Sequence, residues 1–209
     1  MRDFFWLLAL AFLIFGFILF IGGSGRASDQ GSDLMEQKPK GYPVAYFAGG
    51  CFWCVESEFR SLEGVVYTRA GYMGGHLDNP KYEDTHDSKS GHAEAVEVTF
   101  DPAKTSYETL LTYFMTKAHD PTQFNRQGPD VGTQYRSALF PVDEAQKETA
   151  EAVIKKREAE HVYNKPIVTT IEPLATFWEA ESYHQQYYEK YEEKNGRPHI
   201  NDWLARQRR

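Results

Sequence analysis

An α+β fold is predicted for this chain of 209 residues: a two-layer sandwich with a mixed sheet and extensive loops. Three observations carry the prediction. Apolar residues alternate with a period of two in several short segments and recur with a helical period in others. Two strand-like segments, at residues 65–72 and 93–100, follow one another with no helical pattern between them. Two long stretches rich in Gly, Pro, Asn and Asp interrupt the pattern, and loops of that length in a compact domain are more often functional than idle.

The elements follow in order. Val44-Ala45-Tyr46-Phe47-Ala48 is a short apolar run that reads as a buried strand. Gly49-Gly50-Cys51-Phe52-Trp53-Cys54 comes next and opens a helix, with Phe52, Val55, Phe59 and Leu62 on one face and Gly64 at its end. Residues 65–72 read as a second strand, and residues 73–91, with Gly74-Gly75 and Asn79-Pro80, as a long loop. Residues 93–100 alternate like a third strand, which Asp101-Pro102 ends. Ser106 then caps a helix whose apolar face carries Tyr107, Leu110, Leu111, Phe114, Met115 and Ala118.

A second loop, residues 120–134, leads into a strand at 135–140. Residues 143–160 form a charged surface helix, residues 166–171 a last strand, and residues 176–195 a helix that Gly196 stops. The order β-α-β-β-α-β-α-β-α fits a split βαβ, ferredoxin-like core better than a doubly wound parallel sheet. No internal repeat is visible.

The length suits one soluble domain plus a tail. A domain of this size builds a sufficient core without cross-links, so the two cysteines, Cys51 and Cys54, are not needed as a staple. A net charge of −7 argues against a general affinity for nucleic acid. Aromatic residues make up 15% of the chain and include 13 Tyr; most are read as amphipathic packing, with a few free to donate hydrogen bonds in a site.

Residues 4–21 are all apolar or Gly. A run of about 18 such residues can span a hydrocarbon core, whereas the apolar part of a signal peptide is usually about 7–15 residues long. Residues 1–23 are therefore read as a membrane anchor, with a cleaved signal as the alternative through the small residues near Ala27. No cysteine lies nearby for a lipid anchor. Arg2 is offset by Asp3 and Arg26 lies beyond the span, so the orientation rule has little to act on. The reading adopted has the domain outside the cytoplasm, periplasmic or extracellular, or secreted if the signal is cleaved. Residues 24–41 read as a flexible linker, and residues 42–209 as the folded domain.

Cys51 lies at the start of the first helix, among unpaired N–H groups and the positive end of the helix dipole, which favour a thiolate. Cys54, three residues on, shares its face. A zinc site needs about four ligands, and only His76, His86 and His92 in the neighbouring loop could supplement two thiols. The pair is read as redox or nucleophilic, with a structural role for two buried thiols as the plainer alternative.

The residues also resemble a known family. Gly50-Cys51-Phe52-Trp53 is similar to the signature of A-type peptide methionine sulfoxide reductases. The likeness continues through Ala70-Gly71-Tyr72, Gly74-Gly75, Asn79-Pro80 with Tyr82, and Gly91-His92-Ala93-Glu94-Ala95-Val96. It then takes in His119-Asp120-Pro121, Arg126-Gln127-Gly128, Asp130, residues 132–137 and His184-Gln185-Gln186-Tyr187. The matches run in order at the family's spacing over residues 46–188.

The resemblance implies reduction of methionine S-sulfoxide, free or in proteins, without metal or cofactor. It makes Cys51 the nucleophile and Glu94 the acid, whose burial at a strand start raises its pKa. Tyr82 and Tyr135 correspond to donors to the sulfoxide oxygen, and Asp130 to a polar position in the same site. Phe52 and Trp53 correspond to the apolar pocket for the substrate methyl, with Trp53 the better supported, and Tyr187 to the edge of the site. His184 and His92 are read as structural.

Attack leaves a sulfenic acid on Cys51, which condenses with a thiol. The commonest family pattern has Gly after Phe-Trp and resolving cysteines in a C-terminal tail. This chain has Cys54 instead and no cysteine after it, so the resolving role shifts to Cys54, with a thioredoxin-like dithiol as reductant. A monomer is expected. Two other readings stay open on the residues: a thioredoxin-type thiol–disulfide carrier, which gives Glu94, Tyr82 and Tyr135 no use, and a tethered module that binds oxidised methionine without turnover.

Overall fold

A six-stranded mixed sheet organises the computed structural model, which describes residues 37–87 and 89–199. In chain order β1 (Val44–Gly49) leads through α1 (Phe52–Arg60) to β2 (Val65–Met73). A single helical turn, α2 (Tyr82–His86), precedes β3 (Ala93–Phe100), and α3 (Tyr107–Tyr113) runs into a π-helical turn at Phe114–Ala118. The ribbon of β4 (Arg126–Gln127) and β5 (Asp130–Val131) and a 3-10 turn at Thr133–Tyr135 come before β6 (Ser137–Leu139). Then follow α4 (Glu144–Ala159), β7 (Thr170–Ile171), β8 (Trp178–Glu179) and α5 (Tyr187–Asn195).

The strand order is β7-β6-β1-β3-β2-β8. β3 lies between β1 and β2 and is antiparallel to both, so β1 and β2 run parallel and α1 is the crossover of a split βαβ unit. β1 in turn lies between β3 and β6, antiparallel to both, and α3 is the crossover of the second unit. The parallel pair β6–β7 makes the sheet mixed. The α+β sandwich with a ferredoxin-like core is the observed fold.

Packing follows from alternation along the strands. Phe47 of β1 meets Phe59 of α1 at 4.6 Å, Phe114 at 5.1 Å and Tyr107 of α3 at 5.9 Å between ring centroids, so both crossover helices cover one face. On that face β3 contributes Val96, Val98 and Phe100 to the core. The other face carries Ala48, Met73, Ala93, Ala95, Ala138 and Phe140, with Phe177 packed over them. Glu97 also points there. It is 1% exposed and held by Arg69 in two bonds of 3.0 Å, by Tyr46 Oη at 3.0 Å and by Lys38 at 3.1 Å. Those cations keep its carboxyl below the ordinary range against the opposing effect of burial.

The helix ends follow the sequence. Ser106 Oγ accepts from Thr109 N–H at 3.1 Å, Asp143 Oδ1 from Gln146 N–H at 2.8 Å, and Gly196 closes α5 in the left-handed region at φ +65°.

Three expectations need correction. The helix expected over 176–195 is helical only from Tyr187. Before it, β8 pairs with β2, and the Gln185 side chain bonds both Ala70 N–H (2.8 Å) and Ala70 C=O (2.9 Å). Gln186 then sits at φ +52°, which no right-handed helix continues through. The strand expected over 166–171 is confined to β7. Tyr135, expected to start a strand, ends the 3-10 turn instead.

The expected anchor of residues 1–23 and most of the linker lie outside the described residues. Among the described residues, no helix is long and apolar enough to cross a membrane.

Candidate active site

The junction of β1 and α1 is shaped by Gly50. Its φ of +106° is a glycine conformation, and a Cβ there would stand 2.7 Å from Cβ and Cγ of Gln127. Gln127 is itself fixed by two hydrogen bonds to the Asp120 backbone, at 3.2 and 3.1 Å. Cys51 is the N-cap of α1, and its carbonyl accepts from Cys54 and Val55 N–H at 3.0 and 3.2 Å. Its side chain makes no capping hydrogen bond, and the sulfur lies at the helix N-terminus. Cys51 is half-buried and Cys54 exposed, both as free thiols.

Glu94 supplies the missing cap from the sheet. It is 2% exposed, on the helix face of β3, and its Oε2 accepts the Phe52 N–H at 2.9 Å. Burial pushes its pKa up to about 8; the Phe52 N–H opposes that rise, and the nearby charges of Asp130 and Cys54 add to it. The carboxyl therefore holds its proton at neutral pH, beside the residue that follows Cys51. An acid in that state can give a proton to an oxygen bound close to the Cys51 sulfur.

Two phenols face the same space. Tyr82 opens α2, and its pKa is pushed to about 12 by burial and by Glu94 and Cys51. Tyr135 is raised by burial and by Glu94, Tyr82, Asp130 and Cys51. No hydrogen bond contributes to either shift, so both hydroxyls remain neutral donors for a polar ligand. Asp130 opens β5, and burial raises its carboxyl. The loops that bring these groups in are tied together by Arg136, which pairs with Glu172 at 2.8 and 2.9 Å and donates to Gly91 and Thr133 carbonyls at 3.2 Å.

An aromatic wall completes the site. Trp53 stacks on Tyr187 at 3.7 Å and 7° and donates its indole N–H to His184 Nδ1 at 2.9 Å. That bond fixes the neutral His184 tautomer with its proton on Nε2. His184 is fully buried between Phe52 (4.8 Å) and Tyr82 (4.5 Å). Phe52 is buried behind the wall while Trp53 is half-exposed, so Trp53 is the one able to touch a ligand.

The thiols depart from expectation. The helix terminus was expected to ionise Cys51. Instead the Cys51 thiol is raised by its hydrogen bond with Cys54, by burial and by Glu94. Cys54 is lowered to about 7, first by that hydrogen bond and then by Tyr188, whose Oη lies 3.1 Å from its sulfur. In the ligand-free protein the pair releases one proton near neutrality, and the remaining proton sits on Cys51. The buried thiol beside a carboxyl is the poorer place for the charge.

All nine residues singled out in the sequence are described, and electrostatic coupling or direct contact links them around one helix terminus. Three partners were not anticipated. Glu181 accepts from Tyr72 Oη at 2.9 Å and Tyr82 N–H at 3.2 Å. Glu56, buried on α1, accepts Gln186 N–H at 2.8 Å and so holds the start of α5. Tyr188 reaches Cys54 from the residue directly after the His-Gln-Gln-Tyr motif. Its place beside that motif was the signal that could have pointed to it.

The chain is similar to known proteins in sequence and in fold. A family model described as peptide methionine sulfoxide reductase matches residues 43–208. The peptide methionine sulfoxide reductase MsrA of Deinococcus radiodurans is 54% identical over 144 residues, 69% of each chain. That of Geobacter metallireducens is 53% identical over 156 residues, 75% of this chain and 95% of its own. Among solved structures, methionine sulfoxide reductase A of Corynebacterium diphtheriae is 38% identical with a TM-score of 0.64, over 73% of this chain and 76% of that one. Mxr1 of Saccharomyces cerevisiae in reduced form is 30% identical with a TM-score of 0.68, over 76% and 91%. This chain belongs to the peptide methionine sulfoxide reductase family and is an oxidoreductase that reduces methionine sulfoxide.

Proposed function

We propose that this chain reduces methionine S-sulfoxide, free or within oxidised proteins, through Cys51 and that Cys54 completes the cycle. The observation that carries the reading is the protonated Glu94 carboxyl bonded to the N–H of the residue following Cys51. The substrate methyl rests against Trp53, and the sulfoxide oxygen receives hydrogen bonds from Tyr82 and Tyr135 and a proton from Glu94. Within the thiol pair the remaining proton shifts to Cys54, and the Cys51 thiolate attacks the sulfoxide sulfur. The S–O bond of the sulfoxide breaks, and its oxygen passes with the proton from Glu94 to the Cys51 sulfur. The bond between the two sulfurs breaks, and methionine leaves with the electron pair while Cys51 becomes a sulfenic acid.

Cys54 then attacks the Cys51 sulfur; an S–S bond forms and the hydroxyl leaves as water. The helix must open locally for this, because side chains at i and i+3 lie about 5–6 Å apart at Cβ while a disulfide prefers about 3.8 Å. A thioredoxin-like dithiol restores the two thiols by exchange. Residues 1–23 are proposed as a membrane anchor, 24–41 as a linker and 42–209 as the catalytic domain, outside the cytoplasm. Protease protection of intact cells tests that side.

The activity test uses both epimers of a blocked methionine sulfoxide with dithiothreitol. Turnover of the S epimer alone is expected. Insulin reduction without sulfoxide turnover would sink the reading in favour of a general thiol carrier.

A further inference from the structure

Helix α5 is fastened to α1 at successive positions. Glu56 accepts the Gln186 N–H at 2.8 Å, Tyr187 stacks on Trp53 at 3.7 Å, Tyr188 Oη meets Cys54 Sγ at 3.1 Å, and Glu189 pairs with Arg60 at 3.1 Å. His199 stacks on the Tyr188 ring at 5.0 Å. The Tyr188 hydroxyl is thus held against one thiol, and only one, of the pair. We propose that Tyr188 is a positioning residue for the second half of the reaction: its hydroxyl donates to the Cys54 sulfur and holds it as the attacking thiolate beside Cys51. This rests on the resolving role proposed for Cys54.

The chemistry separates Tyr188 from the other groups around that sulfur. Cys51 and Glu58 on α1, Asp130 on β5 and Tyr188 on α5 act on Cys54; the two carboxylates oppose its ionisation and the two hydrogen bonds favour it. Burial and Cys54 itself keep the Tyr188 proton in place, so the phenol is the donor and the sulfur the acceptor. In the reduced enzyme Cys51 shares the work. Once Cys51 has become a sulfenic acid its thiol proton is gone, while the Tyr188 hydroxyl still donates to the Cys54 sulfur. At that moment Cys54 supplies two electrons to the Cys51 sulfur, the S–O bond breaks, and water leaves with the proton that Cys54 gave up. The Tyr188 bond is released as the sulfur moves to its partner.

The size of the effect follows from thiol reactivity. Loss of one hydrogen bond to an anion changes acidity by about tenfold to a hundredfold. A less acidic thiol is a stronger nucleophile, with a Brønsted slope of about 0.4–0.5, so the gain offsets about half the loss on a logarithmic scale. Tyr188→Phe is therefore expected to slow disulfide formation by about three- to tenfold at pH values where the Cys54 thiol is mostly protonated, and to make it equal or faster where it is ionised in both proteins. The two pH profiles cross.

The experiment mixes reduced enzyme with less than one equivalent of methionine sulfoxide across a pH series. Acid quench and mass spectrometry follow methionine, sulfenic acid trapped by dimedone, and the Cys51–Cys54 disulfide. The readout is the rate of disulfide formation relative to methionine formation. A profile shifted upward by about one to two pH units in Tyr188→Phe is the expected result. Tyr188→Leu, which removes the same hydroxyl, should shift it alike. Coincident profiles overturn the proposal, and so does a slowing uniform across pH, which marks a packing role. If the unaltered enzyme makes methionine but no Cys51–Cys54 disulfide, the resolving role of Cys54 fails and this inference with it. If the disulfide forms and the variants match the parent, only the role of Tyr188 fails.

Discussion

Replacing Glu94 by Gln should stabilise the protein increasingly as pH rises, although the substitution removes a catalytic group. The carboxyl is 2% exposed and titrates at about 8 in the fold, against an ordinary value of 4.5. Between those values the folded chain keeps a proton that the unfolded chain has released. Stability from this group is thus fully present below about pH 4.5 and is lost as pH rises through about 8. The whole gap corresponds to roughly 5 kcal/mol, and the part falling between about pH 5 and pH 9 to about 4 kcal/mol. Gln carries no charge to bury, and its amide oxygen can still accept the Phe52 N–H. Groups common to both proteins cancel in the difference between them. Urea unfolding, followed by tryptophan fluorescence at several pH values, measures that difference. The variant should gain about 4 kcal/mol on its parent over the interval. A difference constant to within about 1 kcal/mol would falsify the assignment of a buried, proton-bearing carboxyl.

The same carboxyl sets the pH dependence of the first step: single-turnover methionine formation should decline above about pH 8, and Glu94→Gln should be slower with no such descending limb. A limb that survives the substitution takes the acid role away from Glu94. Cys54→Ser should release about one methionine per enzyme when thioredoxin is the reductant, because the sulfenic acid then lacks its internal partner; continued cycling points to another route of resolution. Tyr82→Phe and Tyr135→Phe should each slow the first step by about tenfold to a hundredfold, the worth of a hydrogen bond to a charged oxygen. Neither should alter unfolding stability by more than about 0.5 kcal/mol, and a large loss in urea titrations would recast the hydroxyl as structural.

What the sequence made legible was local. Alternation in residues 93–100, the Ser106 and Asp143 caps and the Gly196 stop depend on neighbours within a few positions, and each holds in the structure. The site residues were legible because they resemble a family, while a lone Glu at a strand start would otherwise read as solvated surface. The misreadings arose from contacts far apart in the chain. Residues 176–186 have helical spacing, yet Gln185 satisfies the backbone of Ala70, 115 positions away, and that bond outweighs local propensity. The order of thiol acidity departs from the helix terminus first through the local hydrogen bond between Cys51 and Cys54, and then through partners far along the chain. Cys51 shares its terminus with Glu94, 43 positions on, and Cys54 with Tyr188, 134 positions on. Helical periodicity carries no trace of either.

Glu94 and Glu97 stand three residues apart on one strand and face opposite layers of the molecule. One meets no cation and keeps its proton; the other meets Arg69 and Lys38 and loses it. A slip of β3 by a single residue would exchange their faces. Glu97 would then enter the layer of Phe52 and Tyr72 as an anion without a partner, and Arg69 would lose its carboxylate. That one-residue misalignment buries an unpaired charge at a cost of several kcal/mol. The two carboxyl groups therefore select against a slip that flips the faces of β3, and the alignment they favour also delivers an acid to the neighbourhood of Cys51.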